Sequence, residues 1–155
     1  MLYDILDSPI GPLLLIGDGR ALTGLRMDAS PEPGWRREPG AFAVAREQLR
    51  AYFARERTEF DLPLAPHGTP FQLAVWQALT EIPYGETASY GEIAARLGRP
   101  SASRAVGAAN GRNPIGVIVP CHRVIGSNGT LTGYGGGLER KRMLLELEAG
   151  VTAVL

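Results

Sequence analysis

The sequence predicts an α+β protein: a small antiparallel sheet with one helix, then a mainly helical part built on a helix-turn-helix. Three observations lead there. β-rich runs separated by Gly, Pro and Asp clusters fill residues 1–27. Apolar residues at helical spacing follow over residues 41–57. Beyond residue 68, three helix starts carry capping residues, and two of these helices are joined by a tight turn.

In chain order, strands are read at Tyr3 to Leu6, Leu13 to Gly17 and Ala21 to Met27, an antiparallel meander. Residues 28–40, with Pro31, Pro33, Gly34, Pro39 and Gly40, read as a loop. From Ala41 to Arg57, the residues Phe42, Ala45, Leu49, Tyr52 and Phe53 form one apolar stripe of a helix that packs on the strands. Pro63, Pro66 and a solvated His67 mark a linker, so the chain divides into an N-terminal α/β unit (1–63), a linker (64–69) and a C-terminal unit (70–155).

Thr69-Pro70-Phe71-Gln72 opens a helix with a capping threonine, proline at the first position and glutamine three residues on. Its core stripe is Phe71, Ala74, Val75, Ala78 and Leu79, and it stops by Ile82-Pro83. Ser89 caps a helix through Leu97, closed by Gly98, and Ser101 caps another through about Asn110. This pair fits either a DNA-binding helix-turn-helix or ordinary helix packing, since the small residues Ala105, Gly107, Ala108 and Ala109 suit both. Asn110 to Pro114 is a turn and Ile115 to Val119 a buried strand. The run Gly126 to Gly137, around Tyr134, either wraps a ligand with backbone N–H groups or is a long turn. A helix from Leu138 to Glu148 closes the pattern.

Composition narrows the function classes. With 155 residues, 45% of them apolar, the chain can bury one ordinary core or two small ones. A single cysteine excludes an internal disulfide, and with only two, widely separated histidines it disfavours a structural zinc site. Apolar stretches such as Leu13 to Ile16 are far too short to cross a bilayer, and Asp4 and Asp7 stand where a secretion signal would be basic, so a cytoplasmic protein without a membrane partner is expected. Net charge is zero, yet residues 89–145 hold eight basic side chains against two acidic ones. That excess reads either as a solvated surface or as a local face for phosphates.

Chemistry concentrates at Pro120-Cys121-His122-Arg123. A thiol needs a base or a positive environment to become a nucleophile, and imidazole and guanidinium supply both. The tetrapeptide alone favours a buried structural cysteine over a catalytic one. Consecutive side chains of an extended chain also point apart, so Cys121 and His122 act together only through a bend or a bridging water. Glu148, near the end of the closing helix, is the one late carboxylate that stands as a candidate, against the default of a surface glutamate.

Taken together the motifs resemble the O6-alkylguanine-DNA alkyltransferases. The resemblance is carried by residues 82–87 (Ile-Pro-Tyr-Gly-Glu-Thr), 89–94 (Ser-Tyr-Gly-Glu-Ile-Ala), 104–110 (Arg-Ala-Val-Gly-Ala-Ala-Asn), 113–114 (Asn-Pro), 119–126 (Val-Pro-Cys-His-Arg-Val-Ile-Gly) and 133–137 (Gly-Tyr-Gly-Gly-Gly). It covers residues 70–149 closely, and Asp-Ser-Pro-Ile-Gly at 7–11 is similar to the family's opening strands. It implies a ribonuclease H-like N-terminal fold and a winged-helix-like C-terminal one.

The resemblance also implies roles. Cys121 would accept the alkyl group in one stoichiometric, irreversible step, activated through a water by His122, whose imidazole Glu148 would orient. Asn113 would brace the turn between the recognition helix and the cysteine segment, and Tyr90 would donate to the departing purine. Arg104 would fill the gap left by the flipped nucleotide, with Ala105, Gly107, Ala108, Ser89 and Arg123 at the minor-groove surface. Val124, Tyr134, Gly135 and Gly136 would form the guanine pocket, with Gly135 standing where many members carry serine. The implied partner is duplex DNA carrying O6-alkylguanine, with O4-alkylthymine as a further candidate, bound by a monomer able to cooperate on DNA. No metal or cofactor is implied, and the zinc ligands of some members are absent. Two other readings stay in view: a non-catalytic module that only recognises alkylguanine, and a Cys-His-Glu hydrolase or acyltransferase for small molecules.

Overall fold

The computed structural model describes residues 1–150, so the last residues of the expected C-terminal unit, 151–155, lie outside the described residues. The N-terminal part is a four-stranded sheet of β1 (Leu2–Leu6), β2 (Leu13–Gly17), β3 (Leu22–Met27) and β4 (Arg36–Arg37), in the order β3-β2-β1-β4. β2 is buried along its whole length, as its unbroken apolar run requires of a central strand. β1 and β3 pair with it antiparallel.

The sheet is mixed rather than purely antiparallel, because β4 runs parallel to β1 within the stretch read as loop. Its pairing uses main-chain bonds from Arg36 N to Met1 O and from Glu38 N to Tyr3 O. The buried carboxylate of Asp4 draws Arg37 and Arg46 to the same edge, at 3.1 and 2.7 Å. A two-residue strand held by charge leaves no apolar alternation to read. A 3-10 turn (Pro39–Phe42) then leads into α1 (Ala43–Phe53), which buries Ala45, Leu49, Tyr52 and Phe53, the stripe expected from the spacing.

The C-terminal part holds α2 (Pro70–Leu79), β5 (Ala88–Ser89), α3 (Tyr90–Arg96), α4 (Ser103–Gly111), β6 (Val124–Ile125) and α5 (Leu138–Glu148). Complete capping boxes open α2 at Thr69/Gln72 and α3 at Ser89/Glu92. On α2 the buried face is Val75, Trp76, Ala78 and Leu79, while Ala74 is exposed. Trp76 enters the core because its indole N–H finds Ala109 O at 2.8 Å. Two expected features differ. Ser101 does not cap α4, which starts at Ser103 with no side-chain cap. Ile115–Val119 is buried but is not a strand: only Ile115 bridges Leu25, after which Val117 takes φ 69° and Ile118 N turns back to Gly116 O.

The free edge of β3 is covered by both neighbouring segments. Leu22 exchanges main-chain bonds with Pro63 and Ala65, and Leu25 with Pro114 and Gly116. The chain just before the cysteine is thereby laid against the N-terminal sheet. Among the described residues no helix is long and apolar enough to cross a membrane.

Candidate active site

The cysteine segment is bent, not extended. Pro120 sits at φ −82°, ψ 62°, Cys121 N returns to Val119 O at 2.8 Å, and Cys121–Arg123 forms a 3-10 turn. The turn puts Cys121 and His122 about 120° apart around one short helix axis instead of on opposite faces. Cys121 is 6% exposed and His122 fully buried.

His122 is fixed from the far end of the chain. Its Nε2 lies 2.7 Å from Glu148 Oε2, at the end of α5. Arg123 forks onto the same carboxylate, Nε to Oε1 at 2.8 Å and Nη2 to Oε2 at 3.0 Å, and its Nη1 donates to Ile82 O at 2.6 Å. Tyr52, from α1, donates to Glu148 Oε2 at 2.6 Å. Burial pushes the Glu148 carboxyl up, but the hydrogen bonds of His122 and Arg123 outweigh it and hold it at about 2. The carboxylate stays ionised, so the tautomer that satisfies it carries its proton on Nε2. The other ring nitrogen, Nδ1, is buried without a hydrogen bond among the described residues and is free to accept a proton.

The resting electrostatics favour neutral partners. Burial lowers the proton affinity of His122 below its ordinary value despite the Glu148 hydrogen bond. Burial likewise raises the Cys121 thiol, partly offset by a hydrogen bond with Asn113 and by the charge of Lys141. Thiol and imidazole therefore stand uncharged, and a thiolate forms only as its proton leaves.

Asn113 connects the surroundings. Its Nδ2 donates to Val119 O at 2.8 Å and its Oδ1 accepts from Ile115 N at 3.0 Å, which ties the end of the α4 turn to the chain before Cys121. Asn110 adds a long bond from Nδ2 to Cys121 O, 3.4 Å. Lys141 is fully buried and donates to Val124 O and Thr132 O at 2.6 and 2.8 Å, pinning the glycine-rich loop over the site.

Beside the thiol lies a cavity of about 230 Å³ lined by Cys121, Asn113, Asn110, Tyr134, Gly135 and Gly136 and, from the sheet, by Leu25, Met27 and their neighbours. A Cβ on Gly136 would run into Met27 Sδ, so a side chain there would have to displace the flexible end of Met27. A Cβ on Gly135 would meet nothing within 4 Å. Val124 does not line this cavity: its side chain is fully buried where β6 pairs with β5. Tyr90 is also off the cavity wall, with its hydroxyl 2.6 Å from Thr132 Oγ1 and its ring against Gly107.

The helix-turn-helix face is separate. Arg104, Ala105 and Ala108 are exposed on α4, Gly107 is half-buried, and Ser89 spends its hydroxyl capping α3. Arg123 is not part of that face: at 6% exposure its guanidinium is committed to Glu148 and Ile82. Nor do Arg140, Lys141 and Arg142 extend it, since Arg140 pairs with Asp28, Lys141 is buried and Arg142 pairs with Glu139 and Glu146. The exposed basic residues left around that face are Arg96, Arg99, Arg104 and Arg112. Sequence reasoning passed over Tyr52, Lys141 and the β3 residues of the cavity. The available signal was polarity on an apolar stripe, because Lys141 shares the buried face of α5 with Leu144 and Leu147.

Comparison with known proteins adds a consistent context. A family model described as the DNA-binding domain of 6-O-methylguanine DNA methyltransferase matches residues 70–150, and one described as its ribonuclease-like domain matches residues 1–66. The chain is 63% identical over 150 residues to a Mycobacterium tuberculosis methylated-DNA--protein-cysteine methyltransferase, covering 94% of this chain and 91% of the relative. It is 56% identical over 154 residues to the protein of that name from Methanosarcina acetivorans, covering 96% and 98%. Among solved structures, Mycobacterium tuberculosis OGT in complex with DNA superposes with a TM-score of 0.93 at 60% identity, covering 97% of this chain and 94% of that one. The O6-methylguanine-DNA methyltransferase of Pyrococcus kodakaraensis superposes with 0.65 at 26% identity, covering 95% and 98%.

Proposed function

This chain belongs to the 6-O-methylguanine DNA methyltransferase family, and from that premise we propose that it repairs DNA by moving the alkyl group of O6-alkylguanine onto its own Cys121. The observation that carries the reading is the position of the only cysteine. Cys121 lies on the wall of a cavity, next to a histidine whose Nε2 is locked by an ionised carboxylate and whose Nδ1 is left over.

In this reading the thiol proton passes to His122 Nδ1 through one water molecule. The thiolate sulfur attacks the alkyl carbon, the carbon–O6 bond breaks and its electron pair stays on the guanine. Tyr90, exchanging its bond to Thr132 for one to the purine, neutralises the charge that develops there. The thioether has no easy leaving path, so each molecule acts once. Asn113 holds the thiol segment and polarises the sulfur. Tyr134, Gly135 and Gly136 supply wall and backbone N–H groups to the base.

The reacting atom is inside the duplex, so the nucleotide must be turned out at a cost of a few kcal/mol for unstacking. α4 enters the minor groove with Ala105, Gly107 and Ala108 against the sugar edge, and Arg104 fills the gap. Ser89 caps the helix that supports it. The division 1–63, 64–69 and 70–155, supported by two family models that meet between residues 66 and 70, gives the C-terminal unit both chemistry and DNA contact. The proposed partner is duplex DNA carrying O6-alkylguanine, bound by a monomer.

The test is intact mass after incubation with a duplex holding one O6-methylguanine, followed by peptide mapping. One methyl group on Cys121 with guanine restored is the expected result. Binding without a mass change would leave only a damage-recognition module.

A further inference from the structure

Tyr52 stands out among the buried polar groups. It lies on the apolar stripe of α1, fully buried, in ring contact with Phe53, Phe60 and Tyr84. Packing alone would be served by phenylalanine there, and a hydroxyl in such a core is costly unless it is partnered. Its partner is Glu148 Oε2, 96 residues away in the other half of the protein.

That oxygen is shared. Tyr52 reaches it at 2.6 Å, His122 at 2.7 Å and Arg123 at 3.0 Å, whereas Oε1 accepts from Arg123 at 2.8 Å. His122 and Arg123 belong to the cysteine segment itself, so Tyr52 is the donor that ties the carboxylate to an independent element. We infer that Tyr52 is a positioning residue for the transfer: its hydroxyl sets the orientation of the Glu148 carboxylate and, through it, the basicity of His122.

The inference rests on the alkyl-transfer reading above and adds a role for the N-terminal half. A phenol donating to Oε2 withdraws negative charge from the atom that His122 Nε2–H also faces. Without it the carboxylate pulls harder on that N–H, and Nδ1 becomes more basic. Burial and the neighbouring carboxylate push the Tyr52 phenol well above its ordinary range, so it remains a donor. The other charged or titratable groups around the pair are Cys121, Arg123, Lys141 of α5, Tyr84 and Tyr134. Those groups are unchanged when the Tyr52 hydroxyl is removed.

The test is Tyr52→Phe, which keeps the ring and deletes the hydroxyl. The chain has only two histidines, and His67 is exposed, so the His122 ring can be titrated by NMR independently of any reaction. The expected result is a His122 midpoint moved to higher pH. A protonated His122 cannot take the thiol proton, so the acid limb of the transfer rate should move up with it. Phe60→Leu, which loosens the same aromatic cluster without touching the hydroxyl, should lower thermal stability and leave the His122 titration in place. An unchanged His122 titration in Tyr52→Phe, or an equal shift in Phe60→Leu, would overturn the inference. A wild-type protein that leaves the methyl group on the duplex would instead sink the alkyl-transfer reading, and the titration would still decide whether Tyr52 tunes the pair.

Discussion

The network behind Cys121 and the outer face of α4 are built on opposite plans. The first is buried and densely hydrogen-bonded, and it is assembled from α1, the cysteine turn and α5, with Glu148 accepting from three side chains. The second comes from a single nine-residue helix with Arg104, Ala105 and Ala108 exposed. The difference teaches where each task can tolerate water. Proton transfer between neutral partners needs fixed geometry and a low dielectric, whereas contact with a polyanion needs reachable cations and small residues. A change in one region should therefore leave the other's readout untouched.

The sharpest way to break that separation is Cys121→Ser. It should abolish transfer by intact mass while duplex affinity in a gel-shift titration stays within about two-fold, a difference well under 1.4 kcal/mol. Parallel loss of binding would mean that the cavity wall and the DNA face are one unit.

Glu148→Gln is the next largest. An amide cannot balance Arg123, and breaking a buried pair by removing one partner costs about 3–5 kcal/mol, readable as a fall in the thermal midpoint. The Arg123 fork claims the remaining oxygen, so the amide nitrogen faces His122 and favours the tautomer with Nδ1 protonated. Transfer should then drop by about 10²–10⁴, the span of general-base catalysis. The pH dependence of stability should change too. Glu148 has a depressed proton affinity, so its contribution is present above the unfolded value near pH 4.3 and lost as pH falls toward about 2. The buried, neutral His122 adds a loss that begins near its unfolded value of about 6.5. In Glu148→Gln the lower window should disappear, and an acid profile identical to wild type would break the assignment.

The same contrast explains what the sequence disclosed. The capping boxes at Thr69 and Ser89 were legible because their partners sit three residues away. The stripe of α1 was legible as packing, but the role of the Tyr52 hydroxyl was not, because nothing local encodes a partner 96 residues on. Arg123 read as surface charge and is internal, since guanidinium can be buried when a carboxylate and a carbonyl fill its fork. β4 was hidden because its pairing depends on Asp4, thirty-odd positions earlier in the chain. Ile115–Val119 looked like a strand because burial, not alternation, dominates its composition. Cys121, His122 and Glu148 came together by resemblance of ordered motifs, and composition alone left them open.

The smallest effect should come from the exposed face. Arg104 sits in the first turn of α4 and makes no hydrogen bond or ion pair with the described residues, so Arg104→Ala should leave the fold and the His122–Glu148 pair intact. Its proposed task exists only in a duplex, where a flipped nucleotide leaves a gap. Transfer from duplex should therefore slow by about ten-fold, equivalent to one lost interaction of about 1.4 kcal/mol, while transfer from free O6-benzylguanine keeps its rate. Salt adds a second discriminant. A side chain that fills the stack releases no counterion, so the slope of log affinity against log salt should hold in Arg104→Ala, whereas a phosphate-contacting arginine would reduce it by about one. A reduced slope, with the free base still unaffected, would place Arg104 on the phosphates. The DNA face would then contribute attraction alone, and the opening of the base pair would have to be driven from the buried side.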